Sequence, residues 1–70
     1  MLRCKFAAPT IVSAGYDPQR AVLEVEFALD GQIWQYLDVP EEVWYRFKKE
    51  VGAEHFFHAN IKGCYREKRI

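Results

Sequence analysis

Residues 21–36 read AVLEVEFALDGQIWQY, a strict alternation followed by a turn signal and two spaced aromatics. Leu23, Val25 and Phe27 point one way and Glu24 and Glu26 the other, the period of a strand with one face buried. Asp30-Gly31 predicts a two-residue hairpin, because glycine takes the positive φ such turns require at no steric cost. Leu29 then pairs with Gln32, Phe27 lies opposite Trp34, Val25 opposite Tyr36 and Leu23 opposite Asp38. Directly opposed residues share a face, so both aromatics of Trp34-Gln35-Tyr36 join the apolar side as core residues, and Gln35 joins the glutamates. The conclusion depends on loop length, since a three-residue loop turns both rings outward.

The rest of the chain supplies the layers such a hairpin needs. Residues 10–14 form a candidate first strand, stopped by Gly15 and the turn-forming Asp17-Pro18. Asp38-Val39-Pro40-Glu41-Glu42 starts a helix, with proline where a missing N–H costs nothing and acids where the helix dipole favours them. Val43, Trp44, Phe47 and Val51 form its inward stripe, Arg46, Lys48, Lys49 and Glu50 its wet side, and Gly52 its stop. A shorter helix spans 53–61, with Phe57, Ile61 and Tyr65 at intervals of four. Residues 66–70 either fray or return as a short edge strand. The prediction is an α+β domain: a three-stranded antiparallel β-meander packed on one face by a C-terminal helix and a second shorter helix. All 70 residues form one domain, with a core from about 10 to 65. A chain this short is near the lower limit for a core without staples.

Several function classes are disfavoured. The formal charge is zero, unlike a dedicated basic nucleic-acid binder, although a local patch is compatible with it. Cys4 and Cys64 stand near opposite ends and read as reduced thiols of a cytoplasmic protein. The opening MLRCKFAAPT has no apolar run suited to a signal sequence, and no later run approaches a membrane span. His55 and His58, with Glu54 or Cys64 nearby, complete no usual zinc pattern and read as surface histidines around a buried Phe56-Phe57. A cysteine with either histidine lacks the chain length for a deep pocket, and Asp38, Glu41 and Glu42 are explained by the helix start. No catalytic residue, metal or cofactor is predicted.

The order of residues resembles a known family. Ile11 with Ser13-Ala14-Gly15-Tyr16-Asp17, Leu23-Glu24-Val25-Glu26-Phe27, Trp34-Gln35-Tyr36, Val39-Pro40-Glu41-Glu42-Val43-Trp44, and Phe56-Phe57 with Ile61 and Tyr65 resemble the KTSC domain. This short bacterial module is named from the C-terminal extension of some lysyl-tRNA synthetases and also occurs alone. Its tyrosine-x-tyrosine motif is here Trp34 and Tyr36. Where many members carry tyrosine-phenylalanine-asparagine, this chain has Phe56-Phe57-His58, without the asparagine. The resemblance implies a domain of unestablished activity, with RNA binding suggested by its synthetase context.

Two binding classes follow. RNA needs exposed aromatics for stacking and cations for phosphate, and Lys62, Tyr65, Arg66, Lys68 and Arg69 are the densest such group. A protein partner would use Tyr16, Leu37 and Tyr45 as exposed apolar positions, or add a strand to an unpaired sheet edge. Neither class involves a membrane.

Overall fold

The computed structural model describes residues 3–70. Five strands lie in sequential order, each antiparallel to its neighbours: β1 (Arg3–Lys5), β2 (Ile11–Asp17), β3 (Val22–Phe27), β4 (Ile33–Tyr36) and β5 (Glu67–Arg69). Two helices, α1 (Glu41–Lys49) and α2 (Ala53–Asn60), lie between β4 and β5 in the chain. The class is the expected α+β, but the three-stranded meander is corrected to a five-stranded sheet. β1 reads RCK and β5 reads EKR, each three residues long and exposed throughout. Such strands have no apolar face to betray them, and charged, short edges are what discourages a further strand from adding.

Residues 66–70 therefore return as an edge strand. The Leu37 N–H donates to the Arg66 carbonyl at 2.9 Å and the Ile70 N–H to the Ile33 carbonyl at 2.9 Å, closing the outer edge of β4. Strand β2 runs through Gly15, past its predicted end, and turns at Asp17, whose Oδ1 accepts the N–H groups of Gln19 at 3.0 Å and Arg20 at 3.4 Å. A register shift between Ile11 and Ser13 leaves Val12 outside the alternation and 41% exposed.

The hairpin register also differs from expectation: Val25 lies opposite Trp34 and Leu23 opposite Tyr36. Gly31 has φ +69 but Asp30 is not in the positive region, so the two-residue turn does not form. The loop is wider, with the Phe27 N–H donating to the Gln32 carbonyl at 2.9 Å and the Gly31 N–H to the Phe27 carbonyl at 3.1 Å. The shift is of two residues, so it moves every pair without exchanging faces.

The covered face of the sheet presents Ala14, Tyr16, Leu23, Val25 and Tyr36, all buried, and the helices answer with Trp44, Phe47, Phe56 and Phe57. Phe57 is the junction: its ring lies 5.6 Å from Phe27, 5.5 Å from Tyr36 and 6.1 Å from Phe47. Phe56 stacks on Phe47 at 6.1 Å, so neighbouring residues of one helix address two different layers. Val39 and Ile61 are wholly buried, and Tyr65 packs half-buried against the same core.

Helix α1 stops at Lys49, three residues before Gly52. Glu50 is extended (φ −70, ψ 134), although its N–H still bonds to the carbonyls of Arg46 and Phe47. Val51 is thereby lifted off the predicted stripe and is fully exposed. Gly52 instead stands at the N-cap of α2. Tyr16, expected outside, is only 8% exposed, and its hydroxyl donates to the Val39 carbonyl at 2.5 Å. Burial, then the charges of Glu41 and Asp17, raise its pKa. Leu37 is half-buried, whereas Tyr45 is exposed as expected.

Phe57→Ala should cost about 3 to 5 kcal/mol, because it empties the junction of both layers. Val51→Ala should change stability by less than about 0.5 kcal/mol. Urea denaturation of the two variants checks the contrast, and a similar loss in both would refute the packing described.

Candidate functional site

Where the helices stop covering the sheet, a groove of about 330 Å³ opens between the β3–β4 loop and the end of α2. Its walls are Phe27, Trp34, Tyr36 and Phe57. The alternation of β4 puts Trp34 and Tyr36 on this side together, but their burial differs. Tyr36, 2% exposed, belongs to the core, whereas Trp34 is only half-buried and packs against its margin. The Trp34 Nε1–H donates to Gln32 Oε1 at 3.2 Å, fastening the edge of the indole to its own strand. The two rings of the motif thus divide between core and groove.

The rim is polar. Lys62 follows α2, its N–H donating to the Phe57 carbonyl at 2.9 Å, and His58 meets the Phe57 ring edge-on at 5.3 Å. Thr10 is held beside the groove because Glu54 accepts both its N–H, at 2.9 Å, and its hydroxyl. Glu67 enters from β5, directly opposite Tyr36. Burial first, then the charge and hydrogen bond of Glu67, push the Tyr36 phenol above its ordinary range. Glu67 was not among the residues singled out from the sequence. Its placement follows from pairing parity once residues 67–69 are known to form a strand.

The basic group is distributed by the pleat of β5. Arg69 lies opposite Trp34 and shares its face, whereas Lys68 lies opposite Gln35 on the other. Lys62 is on the groove rim, Arg66 is exposed just before β5, and Tyr65 is half-buried. These residues flank one sheet edge and do not form a single-faced patch.

The uncovered sheet face is a hydrogen-bonded network. Arg3 forms an ion pair with Glu24, and its Nη1 donates to Ser13 Oγ at 3.3 Å. Ser13 in turn donates to Glu26 at 2.9 Å, and Gln35 Nε2 donates to Glu24 at 3.0 Å. Glu24 and Glu26 are half-buried beneath this mesh. Cys4 and Cys64 are free and exposed, as are the side chains of His55 and His58. Among the described residues no group of three or more His, Cys, Asp or Glu could hold a metal ion, and no helix is long and apolar enough to cross a membrane.

Comparisons with known proteins bear on the family and the fold. The KTSC domain family pattern matches residues 9–65. The crystal structure of a KTSC domain protein from Yersinia pestis superposes with a TM-score of 0.93 at 36% identity, covering 99% of this chain and 96% of that one. An uncharacterised protein of Stutzerimonas stutzeri (strain A1501) is 42% identical over 43 residues, which is 61% of this chain and 59% of the relative's length.

The Tyr36 phenol has a pH consequence. Its pKa in the folded chain is raised above the ordinary value of 10.0, so the native state keeps the proton longer than the unfolded state. The stability it contributes is complete below about pH 10 and falls as pH rises beyond that. Tyr16 acts with the same sign. Tyr36→Phe should therefore flatten, without abolishing, the decline in urea midpoint between about pH 10 and 12. An unchanged slope would refute the assignment.

Proposed function

The chain belongs to the KTSC domain family, and on that premise we propose that it is a non-catalytic, cytoplasmic RNA-binding module. An unpaired base stacks against Trp34 in the groove, and Lys62, Arg66, Lys68 and Arg69 meet the flanking phosphates. The observation carrying this reading is the half-buried Trp34, tied at its edge, in an aromatic-walled groove with Lys62 on the rim. Single-stranded RNA is recognised by stacking of splayed bases on aromatic rings, with cations tracking the backbone. The other cations support a path around the β5 edge, since they occur on both of its faces. A zero net charge fits weak, strongly salt-dependent binding rather than tight non-specific association.

Titration of labelled tRNA at low and moderate salt tests the proposal. Four phosphate contacts to single-stranded RNA should give a log–log salt slope of about −3. Changing Lys62, Arg66, Lys68 and Arg69 together to glutamine should bring that slope close to zero. Trp34→Ala should weaken binding by about 1 to 3 kcal/mol while leaving the salt slope intact. No binding at low salt would sink the RNA reading and leave a protein partner, for which Leu29, 92% exposed on the loop beside the groove, offers an apolar contact.

A further inference from the structure

We infer that the groove selects guanine over the other three bases, and that Glu67 is the residue that reads it. The inference rests on the RNA reading above and adds the identity of the base. The groove has two carboxylates on its rim, Asp30 and Glu67. Asp30 Oδ1 already accepts the Gln32 N–H at 3.0 Å and closes the loop. Glu67 stands directly opposite Tyr36, lines the groove, and keeps acceptor capacity on both carboxylate oxygens.

An ionised carboxylate only accepts hydrogen bonds, so it discriminates by the donors a base can offer. Guanine places two adjacent donors, N1–H and the 2-amino group, on its Watson–Crick edge, matching the two carboxylate oxygens. Adenine and cytosine place a ring-nitrogen lone pair beside their amino group, and that lone pair meets the carboxylate repulsively. Uracil offers one N–H between two carbonyls, which is worse still. A single carboxylate beside a stacking ring therefore attracts one base and rejects three.

The register puts the parts at a fitting separation. Glu67 is opposite Tyr36 and Arg69 is opposite Trp34, so Glu67 and Trp34 are diagonal neighbours on one face. Such neighbours lie about 7 to 8 Å apart, a span that a purine stacked on the indole covers with its edge. Lys62, also on the groove rim, is left for phosphate.

The test uses short uridine oligonucleotides carrying one central guanine, adenine, cytosine or inosine, with all-uridine as reference, titrated at low salt. The guanine oligonucleotide should bind about tenfold or more tighter than those with adenine, cytosine or uridine at that position. Inosine, which keeps N1–H but lacks the 2-amino group, should fall between guanine and adenine. Glu67→Gln, with folding checked by circular dichroism, should reduce the guanine preference to about twofold or less and leave uridine binding unchanged or stronger. Equal binding of all five by the unaltered chain would overturn guanine selection while leaving RNA binding standing. A guanine preference surviving in Glu67→Gln would overturn the role of Glu67. Absence of binding to every oligonucleotide and to tRNA would bring down both readings.

Discussion

The packing of Phe57 against two strands and the other helix is the contact on which the rest of this domain depends. Phe27 and Tyr36 reach it from the sheet and Phe47 from α1, so one ring sets both the height and the direction of α2. With α2 fixed there, the chain must reverse sharply to return to the sheet. Gly63, at φ +81, and the bond from the Cys64 N–H to the Ile61 carbonyl at 3.0 Å make that reversal. Strand β5 is then laid along β4, and Glu67 arrives beside Tyr36. The groove is a consequence of where this one aromatic contact places the end of the helix.

The two sheet faces solve different problems. One is closed by apolar burial, which is non-directional and tolerant of small shifts. The other is closed by Arg3, Ser13, Glu24, Glu26 and Gln35, whose hydrogen bonds depend on register. The groove lies at the margin of the first face, where helical cover runs out before the aromatics do. Half-exposed rings at such a margin combine core rigidity with access, a combination that neither the covered centre nor the charged face offers.

The central elements were readable in the sequence because their signals are local and periodic. The alternation around Val25, the Pro40-Glu41-Glu42 helix start and the Phe57 and Ile61 spacing all correspond to observed elements. β1 and β5 were not resolved as strands in advance because pairing with β2 and β4, not their own composition, makes them strands. The hairpin misreading has a similar cause: Asp30 spends its side chain on the Gln32 N–H, and the loop widens by a pair of residues. Lys62 was visible as a charge. Glu67 was not visible as a groove residue, because its side depends on a pairing formed across a separation of some thirty residues from Tyr36.

The shared use of Tyr36 and Phe57 by groove and core limits how this site can diverge. Altering either wall residue disturbs the layer junction, so drift there is restrained by stability whatever the ligand. Thr10, Asp30, His58, Lys62 and Glu67 line the same space without being buried in the core. Variation among related chains should therefore accumulate in that ring of polar positions, around a floor that scarcely changes. A domain this small can in this way keep one scaffold while the chemistry of its groove rim changes by single substitutions.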